Sequence, residues 1–110
     1  MISLNFTGGT VTHDDLSHLQ DIAVAKQVDL LKEDMLQVEF AGGLLLDVGW
    51  YPEFDEAGGF RINVIKNSDW DVPLMALTAH ETSELLEKLA IAQNAIQSEL
   101  RNPNLGTSAT

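Results

Sequence analysis

The feature that most constrains the fold is a period of two in the apolar residues of the middle of the chain. Leu36, Val38 and Phe40 alternate with polar residues, and a second alternating series runs from Leu44 to Trp50. Such alternation is typical of strands that bury one face and expose the other. The sequence therefore predicts an antiparallel hairpin whose turn contains Ala41-Gly42-Gly43.

The length of that turn follows from the hydrophobic pattern. A two-residue turn would place the apolar Val38 opposite Asp47, whereas a three-residue loop pairs Phe40 with Leu44 and keeps apolar residues opposite one another. Register follows the buried face of a hairpin. We therefore predict a three-residue loop with a glycine at positive φ.

Two further strands are predicted after the hairpin. Phe60, Ile62 and Val64 alternate with polar residues and indicate a third strand of a meander. Val72, Leu74 and Ala76 indicate a fourth. Pro73 has no N–H to donate, so we expect this fourth strand at an edge of the sheet.

Helices are predicted on both sides of this meander. Ile2 to Phe6 reads as a short strand, and Thr12 then reads as the cap of a helix that ends near Val28 or Lys32. Residues 78–81 have the sequence of a capping box before a second helix. The apolar face of that helix consists of Leu85, Leu89, Ala92 and Ile96, with Leu86 and Leu100 beside it.

These elements predict an α+β fold. We expect a two-layer sandwich, mainly an antiparallel β-meander of four to five strands, with two helices on one face. Residues 1–101 form the single predicted domain, and residues 102–110 are predicted to be a flexible tail. The other face of the sheet is then left to water or to a partner.

The charge of the chain bears on its partners. Seventeen Asp and Glu stand against six Lys and Arg, a formal net charge of −11. Such a surface repels nucleic acid and anionic membranes and attracts basic partners. Cysteine is absent, and no apolar run is long enough to cross a bilayer. We therefore expect a cytoplasmic protein with a basic protein partner, and no binding to nucleic acid or membrane.

The first candidate binding site is the long connection between the second and third strands of the meander. It combines aromatic and acidic side chains in Trp50, Tyr51, Glu53, Phe54, Asp55 and Glu56. Acidic side chains beside aromatic area suit a basic partner surface. The alternative is a solvated loop whose Phe54 packs against the edge of the core.

The second candidate site is the turn around Trp70, which Asp69 and Asp71 flank. An exposed tryptophan between two acids would be a strong anchor for a partner. The alternative is a turn whose Trp70 closes one end of the core. A calcium loop is not predicted, because Val72 stands where the loop needs glycine and Thr78 where it needs glutamate.

No catalytic signature is present. The chain has neither the G-x-S-x-G motif of a nucleophile elbow nor the H-E-x-x-H motif of a zinc-protease helix. It also has no cysteine that could act as a nucleophile. His80 and Glu84 lie four residues apart, but they provide only two of the three or four ligands that a metal site needs. We therefore predict no enzymatic activity, no cofactor and no metal.

Residues 36–100 resemble a known group of proteins. The resemblance rests on Gly49-Trp50-Tyr51-Pro52, on Gly59-Phe60-Arg61-Ile62, on Trp70 and on the closing helix. In these features, and in size and acidity, the chain is similar to the small acidic immunity proteins of bacterial polymorphic toxin systems, including contact-dependent growth inhibition. The resemblance implies that it binds and neutralises a cognate toxin, often a basic nuclease.

Two other interpretations remain open. The chain is alternatively a small self-associating scaffold or accessory subunit that uses the edge strand after Trp70, and the sequence leaves a homodimer open. A small enzyme or ligand-binding domain would require a deep pocket with convergent acids.

Overall fold

The computed structural model describes residues 2–101, which form one antiparallel sheet and one long helix. The five strands occur in the sheet in chain order, and the 20-residue helix packs against the last two of them. The elements are β1 (Thr10–Asp14), β2 (Leu36–Phe40), β3 (Leu44–Tyr51), β4 (Gly59–Lys66), β5 (Met75–Ala79) and α1 (Thr82–Arg101). The predicted α+β class and the meander are confirmed; the tail predicted over residues 102–110 lies outside the described residues.

The predicted hairpin register is confirmed. Phe40 pairs with Leu44 and Val38 with Leu46, across a three-residue turn in which Gly42 and Gly43 have φ of 74° and 76°. A side chain at either position would be strained, because left-handed backbone favours glycine. The period of two in the apolar residues therefore predicted the pairing of β2 with β3 correctly.

The hydrophobic core lies between one face of the sheet and α1. Inward-facing side chains of β2, β3 and β4 form one buried cluster with the helix face that the sequence predicted. Residues 2–35 contribute further buried side chains, among them Leu16, Leu19, Val24 and Leu31. The opposite face of the sheet carries polar residues such as Gln37 and Asn63.

The prediction for residues 2–32 was wrong, and residues 2–101 contain one α-helix where two were expected. β1 replaces the strand predicted at residues 2–6, and three short 3-10 turns replace the first helix. Thr10-Val11-Thr12 is rich in β-branched residues, which favour a strand. The Gln27 side chain is buried and bonds the backbone of Gln20 and Ile22, so local bonds compete with helical ones.

The sequence also misplaced the fourth meander strand and the start of α1. Met75 and Leu77 face the core from β5, whereas Val72 and Leu74 are exposed, one residue out of phase with the prediction. The edge position of β5 is confirmed. The helix begins at Thr82, four residues after Thr78, the cap residue of the predicted box. A Glu84 carboxylate oxygen there accepts the N–H groups of His80 and Glu81 at 3.0 and 3.3 Å.

Candidate functional site

The two predicted binding loops lie at opposite ends of the sheet. The loop over residues 52–58 precedes β4, and the turn around Trp70 follows it. The eight residues of β4 separate the two loops by about 25 Å, given a rise of about 3.3 Å per residue. The predicted residues therefore form two separate surfaces rather than one.

Trp50 is not a surface anchor, which corrects its placement among the binding residues. Its side chain is fully buried, and its ring packs edge to face against the Phe60 ring, with 4.8 Å between the ring centroids. The indole N–H donates to the Asp55 carbonyl oxygen at 2.8 Å. Trp50 thus belongs to the core and holds the loop in place through its hydrogen bond to Asp55.

Phe54 is the exposed aromatic residue of that loop. Its side chain is 53% exposed, and its backbone has φ of 59°. A bulky residue in the left-handed region costs about 1–2 kcal/mol. The Phe54 N–H donates to the Leu31 carbonyl oxygen at 2.7 Å, which fixes the loop against the chain before β2. The Phe54 ring is therefore exposed to solvent, and its backbone has a conformation of raised energy.

The segment before β2 lies over β3 beside this loop. The Met35 N–H donates to the Val48 carbonyl oxygen at 3.0 Å, and the Trp50 N–H donates to the Lys32 carbonyl oxygen at 2.7 Å. Between these bonds Glu33 approaches Gly49 so closely that a Cβ on Gly49 would overlap the Glu33 carbonyl. Gly49 therefore permits the close approach that brings Glu33 and Asp34 to the open face.

Carboxylates surround Tyr51 as a result. Partial burial raises the pKa of the Tyr51 hydroxyl, and the negative charges of Asp47, Asp34 and Glu33 raise it further, although Arg61 lowers it. Burial raises the pKa of the Asp47 carboxyl; a hydrogen bond from Gln37 at 3.2 Å opposes that rise, and Asp34 adds to it. Burial is the largest cause of both shifts, and the negative charge of Asp34 contributes to each of them.

We call this region the acidic surface. It consists of the exposed loop and the carboxylates beside it: Tyr51, Glu53, Phe54, Asp55, Glu56, Glu33, Asp34 and Asp47. Within residues 2–101 none of its six carboxylates forms an ion pair with Lys or Arg. The nearby Lys32 pairs with Asp15 at 3.4 Å, and Arg61 lies 4.7 Å from the centre of the Tyr51 ring. Arg61 is therefore the nearby cation that offsets part of the negative charge, without an ion pair to any of the six carboxylates.

Glu33, Asp34 and Asp47 were missing from the predicted binding residues. The charged run Lys32-Glu33-Asp34 just before β2 was the available signal. The predicted helix ended near Val28 or Lys32, and no element was assigned to Glu33 and Asp34, so their position beside β3 was not predicted. Asp47 was considered only in predicting how the two hairpin strands pair, and not as a binding residue.

The second predicted surface is smaller. Trp70 is 50% exposed between Asp69 and Asp71, and the Asp69 carboxylate accepts the Val72 N–H at 3.2 Å. That bond uses one oxygen of the Asp69 carboxylate to hold the turn. Trp70 therefore stands on the surface, as one of the two interpretations of the sequence expected.

Other kinds of site find limited support in the part of the chain that the structure describes. Within residues 2–101 no three His, Asp or Glu side chains lie close enough together to hold a metal ion. The cavity beside the acidic surface is lined by His13, Asp34 and Gln37 and measures about 250 Å³. Ligand pockets are usually larger, roughly 300–1,000 Å³. As for membranes, α1 and the other described helices are too short or too polar to cross one.

Comparisons with known proteins do not assign the chain to a family. No family model matches it, and no curated protein or solved structure is significantly similar.

Proposed function

We propose that this protein binds a basic protein partner through the acidic surface and neutralises it, in the manner of an immunity protein that inhibits a toxin. The observation that supports this most strongly is Phe54, an exposed ring held in left-handed backbone beside carboxylates that form no ion pair with Lys or Arg within residues 2–101. Strain of this kind is concentrated at functional sites.

The physical basis of binding is a division of roles within the acidic surface. Six carboxylates produce a negative field that steers a cationic partner and raises the association rate by about 10–1,000-fold. Phe54 supplies apolar area that leaves water only when the partner docks. Charge thus determines which partner approaches, and the aromatic ring adds affinity.

Inhibition would need no chemistry on this chain. A nuclease binds phosphates with clustered Lys and Arg. The five exposed carboxylates of the acidic surface would occupy those cations and exclude the nucleic acid. The small size of the neighbouring cavity also favours a protein surface over an enclosed small molecule as the partner.

The experiment is titration calorimetry with the purified product of the neighbouring gene, at low and high salt. We expect tight binding that weakens steeply as salt rises, because exposed charge pairs are screened. The substitution Phe54→Ala should weaken binding by about 2 kcal/mol, roughly 30-fold. The matched control is Ile91→Ala, which removes a similarly exposed apolar side chain from α1. Equal effects of the two substitutions, or binding that salt does not change, would contradict the proposal.

A further inference from the structure

The two edge strands of the sheet differ in how they are protected. Unpaired edges attract other strands, and proteins usually block them with bulges, charges or proline. β1 has such protection: its register with β2 shifts between Val11 and His13, and Asp14 places a charge at its end. A bulge twists the edge and disrupts regular pairing.

β5 lacks these protections. Its five residues pair in unbroken register with β4, and none of them is charged. Pro73 lies outside the strand. Within the described residues β5 pairs with β4 alone, so its outer backbone groups are available to another strand.

Exposed apolar side chains precede this open edge. Trp70, Val72 and Leu74 are 50%, 70% and 52% exposed, although each is large enough to contribute to a core. A backbone edge and adjacent apolar side chains are the two elements of strand addition, in which main-chain bonds give affinity and side-chain contacts give specificity.

The charge around β5 favours a basic occupant. Residues 67–87 contain five acids and no Lys or Arg. On the adjacent β4, Arg61 lies opposite Thr78, and Lys66 forms an ion pair with Glu99 at 2.7 Å. Asp69 and Asp71 flank Trp70 before the strand, and Glu81 and Glu84 follow it. A second copy of the chain would bring another net charge of −11 to the same place. Charge complementarity therefore favours an extended segment that carries Lys or Arg.

We infer that the outer edge of β5 is a docking site for an extended, basic segment of another protein, which adds a sixth strand to the sheet. Apolar side chains of that segment contact Trp70, Val72 and Leu74, and its cations lie near Asp69 and Asp71. This inference uses residues outside the acidic surface and does not depend on the proposed function.

The test uses a seven-residue peptide of alternating lysine and valine, added at up to millimolar concentration to the full chain. We expect the amides of Met75–Ala79 to exchange more slowly with solvent when the peptide is bound. A matched peptide with glutamate in place of lysine should bind at least about tenfold more weakly. A lysine peptide with alternate backbone amides methylated should give no protection, because it cannot form the ladder.

The variant Ala76→Lys places a cation on an exposed position of β5 and should weaken binding of the lysine peptide at least about tenfold. The matched control Ala76→Ser keeps the side chain small and uncharged, and should bind normally. Melting temperatures of both variants establish that they fold.

Three results would overturn the inference. The first is unchanged exchange of the β5 amides at millimolar lysine peptide. The second is equal binding of the lysine and glutamate peptides. The third is a dimer of the free chain in sedimentation that Ala76→Lys abolishes, which would make a second copy the occupant. None of these results bears on the acidic surface.

Discussion

The substitution Gly49→Ala tests how the acidic surface is built. A Cβ on Gly49 would overlap the Glu33 carbonyl oxygen and lie 2.8 Å from its carbon, closer than the 3.0 Å that real Cβ atoms keep. The obstacle is backbone rather than a flexible side chain. The segment around Glu33 must therefore move away from β3.

The loss of stability in Gly49→Ala follows from the contacts that this movement disturbs. Inserting a methyl group into a packed site costs about 1–3 kcal/mol. The segment is also held by the bonds from the Met35 N–H to Val48 and from the Trp50 N–H to Lys32. Each bond contributes about 1 kcal/mol. We therefore expect Gly49→Ala to lower the free energy of unfolding by about 3 kcal/mol and the melting temperature by about 13 °C.

Urea and thermal unfolding measure this effect, with Gly59→Ala as the control. A Cβ on Gly59 would lie 3.4 Å from the Ala79 carbonyl oxygen, which is an ordinary contact. Alanine there should change stability by less than about 1 kcal/mol, because a strand favours alanine over glycine. If the two variants are equally stable, Glu33 does not pack on Gly49 and the acidic surface is assembled differently.

Three further predictions concern single side chains. Asp47→Asn should raise the free energy of unfolding at pH 7, because burial raises the pKa of the Asp47 carboxyl and disfavours its charged form. Urea unfolding should show that this gain disappears below pH 3.8, where the carboxyl is protonated in the unfolded state as well. Glu84→Gln should lower the melting temperature at pH 7, because backbone N–H groups lower the pKa of Glu84; the loss should shrink as pH falls below 4.5. Leu89→Ala should cost about 2–5 kcal/mol in urea unfolding, against less than about 0.5 kcal/mol for the exposed Ile91→Ala, and equal losses would contradict the packing of α1.

The meander could be predicted because its signal is local and strong. Alternation along β2 and β3 fixes which residues face inward, and Gly42 and Gly43 allow a turn that other residues would strain. The apolar face of α1 was predictable for the same reason, since its buried residues recur at helical spacing.

The N-terminal third could not be predicted from periodicity. Leu16 and Leu19 have helical spacing, yet 3-10 turns and an extended chain bury them. Short helices are marginal without tertiary support, and the bonds of the Gln27 side chain favour turns here. Spacing alone does not distinguish these outcomes.

The candidate site was predicted in part for a related reason. The loop containing Phe54 was visible as a long acidic and aromatic connection. The position of Glu33 depends on long-range contacts with Gly49 and β3. The burial of Trp50 depends on contacts with Phe60 and Asp55. The sequence alone does not distinguish a buried tryptophan from an exposed one.

The most direct test of the acidic surface is a hydrogen-exchange footprint of the complex with the neighbouring gene's product, recorded at low salt and again at 0.5 M salt (about 4 Å screening length). The account predicts slower exchange in residues 31–35 and 51–56, with the protection largely lost at high salt. Protection confined to α1 or to β1, with residues 51–56 unchanged, would contradict it.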